Sequence, residues 1–139
     1  MIIEVTHHPE KKDVEILYKG LSEFNREFFP DLTERPVALF LRDANGQVEG
    51  GLTGRLHYNS FHIQRLWLSP NIRGKGLGKK ILSLAEKEAR KYKVQHIFLD
   101  TYNFQAPEFY AKQGFAEVGR YVDFPKNGTD KIFYKKTLV

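Results

Sequence analysis

The segment NIRGKGLGKK, residues 71–80, sets three glycines among four cationic side chains, just before a sequence that predicts a helix. Glycines let the chain curl so that several backbone N–H groups point at one place. The N-terminus of a helix adds unpaired N–H groups and a partial positive charge. Such a loop is suited to binding an anion, typically a phosphate. The alternative is a strand-to-helix turn that needs glycine only for its shape.

Spacing excludes two familiar phosphate loops. A Walker loop requires Gly-Lys followed by Ser or Thr, and here Gly78 and Lys79 precede Lys80. A dinucleotide-binding fingerprint requires G-x-G-x-x-G in the first strand–helix–strand unit, whereas these glycines alternate in the middle of the chain. The loop therefore indicates a third kind of anion site.

Composition excludes several other kinds of site. The 139 residues contain no cysteine, which excludes disulfides, thiolate nucleophiles and thiolate metal sites, and favours a cytoplasmic location. The histidines lack metal-ligand spacing, and no apolar run could cross a membrane, so we expect no metal and no membrane partner. The net charge of +5 permits an anionic partner, but Glu86 and Glu88 interrupt the basic residues of the helix 79–93. We therefore expect no nucleic-acid partner.

Hydrophobic periodicity predicts the elements that position the loop. Helices are predicted at 11–29, 76–91 and 106–113, and strands at 2–6, 37–43, 48–58, 61–69, 94–101, 115–121 and 131–138. This order predicts one α/β (α+β) domain over residues 1–139, with a mixed, mostly antiparallel sheet and helices on both faces. The crossover helix makes strands 61–69 and 94–101 parallel neighbours.

Two motifs resemble those of one protein family. Arg73, Gly76 and Gly78 match the Arg/Gln-x-x-Gly-x-Gly/Ala signature of the GCN5-related N-acetyltransferase (GNAT) superfamily. Further along, the family's Asn-x-x-Ala-x-x-x-Tyr-x-x-x-Gly-Phe landmark is matched by Asn103, Ala106, Tyr110, Gly114 and Phe115. The element order is similar to the GNAT fold over nearly the full length. The resemblance implies an acetyl-CoA-dependent N-acetyltransferase whose central parallel strands splay apart.

The resemblance also implies where acetyl-CoA, the cosubstrate, would bind. Backbone amides of the glycine loop would hold the pyrophosphate, and the strand before the loop would bind pantetheine as an extra strand does. The Leu66 N–H would face the thioester carbonyl, and Leu68 would bond the pantetheine. The implied coenzyme-binding residues are Leu66, Trp67, Leu68, Arg73, Gly74, Lys75, Gly76, Leu77, Gly78, Lys79, Asn103, Ala106 and Tyr110. For Asn103, a turn before a helix is the alternative role.

Tyr110 matches the family's tyrosine at the coenzyme sulfur, which can protonate the leaving thiolate; the alternative is a core tyrosine. His62 occupies a position where some relatives carry a glutamate base. A water chain is the alternative base, and His57, Asp100 and Asp123 are lesser candidates. Strand alternation puts residues 62, 64, 66 and 68 on one face, subject to any bulge. Without cysteine, the amine would attack the thioester directly in a ternary complex.

The acceptor is left open among a small amine, an amino acid and a peptide amine. The resemblance implies a groove formed by variable segments, which here hold Phe28, Phe29, Asp31, Glu34, Tyr58 and residues 121–130. Their apolar members could equally be core, and their sparse acids disfavour an aminoglycoside or polyamine acceptor. The alternative function is a non-catalytic acyl-CoA-binding sensor. The resemblance also suggests a homodimer.

Overall fold

The computed structural model describes residues 1–30 and 34–138, which divide into two compact units, Met1–Thr33 and Glu34–Val139. In the N-terminal unit, helix α1 spans Lys11–Asn25 and runs through Gly20 without interruption. The predicted strand at residues 2–6 is wrong, because the structure forms no strand there. Alternation of apolar residues supplies strand propensity, but a strand also requires a hydrogen-bonded neighbour.

The C-terminal unit is built on a six-stranded sheet with the strand order β1-β2-β3-β4-β6-β5. Its strands are β1 Arg35–Arg42, β2 Val48–His57, β3 Ser60–Leu68, β4 His96–Tyr102, β5 Ala116–Tyr121 and β6 Lys131–Thr137. Neighbouring strands are antiparallel except for β3 and β4, which are parallel. The predicted mixed, mostly antiparallel sheet is therefore confirmed.

Two helices complete this unit, α2 at Leu77–Arg90 and α3 at Pro107–Lys112, and a short 3-10 turn at Pro70–Ile72 follows β3. Helix α2 buries Ile81, Leu82, Ala85 and Ala89, a spacing that places all four on one helical face. This face packs against β1, β2 and β3. No helix among the described residues is long and apolar enough to cross a membrane.

The parallel strands β3 and β4 separate soon after they meet. Their pairing is confined to Ser60–His62 of β3 and residues 96–98 of β4. Both strands continue beyond this point, β3 to Leu68 and β4 to Tyr102. A gap therefore opens between them, and the predicted splayed pair is confirmed.

A bulge in β3 changes which side chains share a face. Thr53 of β2 lies opposite Arg65 and the next residue, Gly54, lies opposite Ile63, so Gln64 is the extra residue. Beyond the bulge, Leu66 and Leu68 pack against the core, as Ile63 does before it. The expected single face for residues 62, 64, 66 and 68 is therefore wrong, since one inserted residue reverses the alternation.

Candidate active site

A cleft of about 730 Å³ occupies the gap between β3 and β4. Its walls combine the end of β3, the middle of β4, the start of α3 and the glycine loop. Among its lining residues are Gln64, Arg65, Leu66, Trp67, Leu68, Arg73, Gly78, Asp100, Phe104, Ala106, Phe109 and Tyr110. The cleft therefore brings together both motifs that the sequence analysis singled out.

The glycine loop leaves the first backbone N–H groups of α2 without side-chain partners. Gly74 and Gly76 both have φ of +75°, a left-handed conformation that glycine adopts without strain. Gly76 is the N-cap of α2, which has no capping side chain and no acidic residue in its first turn. These donors and the helix dipole form the anion-binding arrangement that the sequence predicts.

Gly78 allows α2 to start close to α3. A Cβ atom at this position would lie 3.4 Å from Phe109 Cζ and 3.6 Å from Leu68 Cδ1. Both neighbours also line the cleft. These distances are ordinary van der Waals contacts, so a Cβ atom alone fits at 78, and a longer side chain would extend into the wall of the cleft.

Arg73 fixes the loop to the end of β3. Its Nε donates a hydrogen bond of 2.9 Å to the carbonyl oxygen of Leu68. The guanidinium therefore positions the loop relative to the strand, in addition to bringing positive charge to the cleft. The predicted residues Gly74, Lys75, Gly76, Leu77 and Lys79 adjoin the cleft along the chain but are not among its lining residues.

Tyr110 lies on α3 and is 8% exposed. Its ring packs edge-on against Phe109 and Phe115, with centroid distances of 5.2 and 5.8 Å, and tilts against Tyr134 at 6.2 Å. Burial raises the pKa of Tyr110 to about 12, because the phenolate would lose its hydration. The phenol is therefore protonated at neutral pH and can serve as a hydrogen donor to a group in the cleft.

The four base candidates occupy different places. His62 stacks on Phe98 of β4, with ring centroids 4.5 Å apart and an interplanar angle of 1°, and does not line the cleft. Asp123 accepts a 2.8 Å hydrogen bond from the Gly128 N–H within the β5–β6 loop. His57 lies on β2, also outside the lining. Of these four residues, Asp100 lines the cleft.

The two predicted residues before α3 differ in position. Ala106 lines the cleft as the N-cap of α3. Asn103 lies outside the lining and ties two loops together, because its backbone N–H donates to the Asp130 carbonyl at 3.1 Å and its Nδ2 to the Gly128 carbonyl at 3.3 Å. Here Asn103 positions the β5–β6 loop.

The structure describes only some of the residues that the sequence analysis assigns to the acceptor groove. Phe28 and Phe29 belong to the N-terminal unit, and Asp31 lies outside the described residues. Glu34 pairs with Arg55 at 3.3 Å. In the segment 121–130, Tyr121 packs edge-on against Phe124 and against Phe133 of β6, with centroid distances of 5.1 and 4.9 Å.

Sequence reasoning missed several lining residues. Gln64 and Arg65 enter the cleft at the bulge, which no local pattern marks, and Phe104 and Phe109 lie beside motif residues. Gln105 also lines it, and its Oε1 accepts hydrogen bonds from Thr101 Oγ1 at 2.9 Å and the Tyr102 N–H at 2.8 Å. No group of three or more potential metal ligands occurs among the described residues.

Comparisons with known proteins identify a family for this chain. Residues 7–115 match the Acetyltransferase (GNAT) family. The chain is 30% identical over 111 residues to blasticidin-S acetyltransferase of Streptomyces morookaense, which covers 77% of this chain and 82% of that protein. A crystal structure of an acetyltransferase from Bacillus cereus ATCC 14579 superposes with a TM-score of 0.86 and 30% identity, over 97% of this chain and 98% of that one.

A more distantly similar protein has been solved with acetyl coenzyme A bound. A protein from Bacillus anthracis str. Ames, described provisionally as a streptothricin acetyltransferase, was solved in complex with acetyl coenzyme A. It shares 18% identity and a TM-score of 0.66, over 81% of this chain and 68% of that one. At this distance the likeness concerns the fold.

Proposed function

This chain belongs to the GNAT acetyltransferase family, and from that premise we propose that it transfers the acetyl group of acetyl-CoA to a small-molecule primary amine by direct attack. Membership makes it an acetyl-CoA-dependent N-acetyltransferase. The acceptor, the order of events and the roles of individual residues are the content of the proposal. The observation that carries it is the cleft in which the splayed strands, the glycine loop and Tyr110 meet.

The coenzyme would lie along this cleft. Its pyrophosphate would accept hydrogen bonds from the free N–H groups at the start of α2, and Lys75 and Lys79 would add positive charge. Pantetheine would occupy the gap between β3 and β4, where β3 residues beyond the bulge have no neighbouring strand on the β4 side. Backbone bonding by Leu66 and Leu68 would then complete the sheet with a non-peptide strand.

Tyr110 would act as the general acid. When the amine nitrogen attacks the thioester carbonyl, a tetrahedral oxyanion forms, which the Leu66 N–H would stabilise. The C–S bond then breaks and the departing thiolate takes the phenolic proton. The raised pKa keeps Tyr110 protonated before the reaction, but it does not favour the transfer itself, because a thiol, with a pKa of about 8.5, is a stronger acid than this phenol. The role is supported by the position of Tyr110 in the lining of the cleft.

His62 is our proposed general base, with a route that includes water. Since His62 does not line the cleft, a proton from the amine would reach it through at least one water molecule. A water chain without His62 is the competing version. The two differ in whether substituting His62 changes the pH profile.

A small-molecule amine is the acceptor class that the sequence relative supports. Blasticidin-S acetyltransferase is named for an antibiotic. Blasticidin S is therefore the first compound to test, within a panel of amino acids and peptide amines. We also propose a homodimer in the cytoplasm, which light scattering and fractionation can check.

The experiment is release of free coenzyme A thiol from acetyl-CoA across the amine panel. The chain contains no cysteine, so every thiol detected by a disulfide reagent comes from the coenzyme. We expect at least one small amine to accelerate thiol release and to gain one acetyl group by mass. Tight coenzyme binding with no accepted amine would favour an acyl-CoA-binding sensor, and no coenzyme binding at all would overturn both functions.

A further inference from the structure

The ammonium group of Lys131 lies between a carboxylate and two aromatic rings. Lys131 Nζ is 3.8 Å from Asp100 Oδ1. The same atom is 5.8 Å from the ring centroids of Phe124 and of Phe133. A carboxylate opposite aromatic faces is an arrangement by which proteins bind organic ammonium ions.

Lys131 is held loosely in this position. Hydrogen bonds between an ammonium and a carboxylate usually span about 2.7–2.9 Å, so a 3.8 Å pair has electrostatic attraction without a hydrogen bond. The two ring distances also approach the limit of roughly 6 Å for a cation–π contact. A second cation with better geometry could therefore take the place of the lysine.

Other carboxylates nearby are already committed to the β5–β6 loop. Asp130 accepts hydrogen bonds from Arg120 Nη1 at 3.0 Å and from the Asp123 N–H at 3.2 Å. Asp123 in turn accepts the Gly128 N–H at 2.8 Å. These bonds hold the loop in shape, whereas the carboxylate of Asp100 has the long ion pair to Lys131.

Asp100 connects this arrangement to the cleft. It lines the gap between β3 and β4, and its side chain is 40% exposed. Tyr121 packs against Phe124 and Phe133 and so supports both rings. A cation bound between the rings and Asp100 would therefore stand at the edge of the cleft that holds Tyr110.

We propose that Asp100, Phe124 and Phe133 form a recognition site for an organic ammonium ion, which displaces the Lys131 ammonium when it binds. Its biological meaning rests on the proposed function, since the ion would be the protonated amine acceptor before it loses its proton. The class of acceptor is then a compact cationic amine with apolar carbon next to the nitrogen. Asp100 and the two rings bind the acceptor, and Lys131 occupies the site in its absence.

Choline and its neutral isostere 3,3-dimethylbutan-1-ol test the site without any acetyl transfer. Both are titrated into the protein without coenzyme and followed by calorimetry or by NMR shifts. We expect choline to bind and the alcohol not to bind. Asp100→Asn should weaken choline binding by about tenfold, and Lys131→Met should strengthen it by roughly fivefold, because it removes the competing cation.

Two variants control for net charge and for folding. Lys87→Met and Glu108→Gln remove the same charges from exposed positions, and we expect neither to change choline binding. A gain of affinity in Lys131→Met could not arise from partial unfolding. Equal binding of choline and the alcohol, or identical behaviour of Lys131→Met and Lys87→Met, would overturn the site.

The amine panel tests the proposed function and the choline titration tests the ammonium site, so either proposal can be rejected without the other. Choline binding that follows the expected pattern would support the site even if no amine were acetylated. For any amine that is acetylated, Asp100→Asn should raise KM by about tenfold and leave kcat within roughly threefold. An unchanged KM would show that acetyl transfer proceeds without this site.

Discussion

The two proposed sides of the cleft differ in what they are built from. The side proposed for the coenzyme, called the coenzyme side below, consists of backbone groups and close packing: Gly76 caps α2, Arg73 bonds the Leu68 carbonyl, and Gly78 lies against Phe109. The side proposed for the acceptor, called the acceptor side below, consists of exposed and half-buried side chains. There Asp100 is 40% exposed and its ion pair to Lys131 spans 3.8 Å.

This difference indicates which positions of the cleft tolerate amino-acid substitutions. Backbone donors set by left-handed glycines cannot be re-aimed by a surface substitution, so the coenzyme side admits few alternatives. Exposed side chains with weak partners can be replaced at little cost in stability. A family that keeps one coenzyme and varies its acceptor would be expected to divide its cleft in this way.

Gly76→Asp should have the largest effect, because it attacks the coenzyme side at its backbone. The substitution places a carboxylate where the pyrophosphate would lie, in a conformation with φ of +75°. We expect coenzyme affinity measured by calorimetry to fall by at least about a hundredfold, from charge repulsion near the helix N-terminus.

Gly46→Asp is the matched control. Gly46 lies in the turn between β1 and β2 with φ of +81°, and, as at Gly76, an added Cβ would meet nothing within 4 Å. It should show similar backbone strain with unchanged coenzyme binding. Equal losses in both variants would mean that strain, and not the anion site, explains the effect.

Tyr110→Phe should have the next largest effect, and on rate alone. The ring keeps its packing against Phe109, Phe115 and Tyr134, while the thiolate loses its proton donor. We expect kcat to fall by about 10²-fold with coenzyme affinity unchanged. Thiol release under saturating coenzyme measures the first and calorimetry the second.

Tyr134→Phe tests whether any buried hydroxyl would matter. Tyr134 is 7% exposed, packs against Tyr110 and does not line the cleft. Its turnover should match the wild type. A Tyr110→Phe enzyme with full turnover would remove the general acid from the mechanism and leave the coenzyme side with binding alone.

The coenzyme side was the more predictable part of the molecule. The glycine loop, α2 and the motif around Tyr110 are local in sequence, so spacing predicts the loop and the helix, and the family resemblance identifies the Tyr110 motif. Alternation at residues 2–6 predicted a strand that does not form, because pairing depends on a partner distant in the chain. Local sequence patterns are informative for this side because its proposed binding groups belong to the backbone of one continuous segment.

On the acceptor side, single residues decide geometry that no local pattern records. His62 stacks on Phe98, its partner on β4, and the extra residue Gln64 places Leu66 on the opposite face. The position of Lys131 beside Asp100 depends on the pairing of β4 with β6, in which Tyr102 lies opposite Lys131. Such contacts follow from strand register, which the sequence specifies only through the whole sheet.

His62→Gln should have a smaller effect, which decides between a histidine base and water alone. If His62 receives the amine proton, we expect kcat/KM to fall by about tenfold and its acid limb to disappear, since a histidine loses basicity on protonation. His57→Gln is the control on the neighbouring strand. A His62→Gln profile that superposes on the wild type would assign proton removal to water.

The smallest expected effect is on the pH dependence of the free energy of unfolding, and it tests whether the packing around Tyr110 excludes water. Burial raises the pKa of Tyr110 to about 12, so the unfolded chain loses this proton at a lower pH than the folded protein. The contribution of the protonated Tyr110 to the free energy of unfolding is fully present below about pH 10. It is lost as the pH rises toward 12, by up to roughly 2–3 kcal/mol.

Urea unfolding at about pH 9 and pH 11.5 should therefore show a smaller loss of unfolding free energy in Tyr110→Phe than in wild type. Subtracting the two proteins cancels the other titrating groups. Equal losses in both proteins would mean that the Tyr110 hydroxyl is solvated, and that the packing around it does not exclude water.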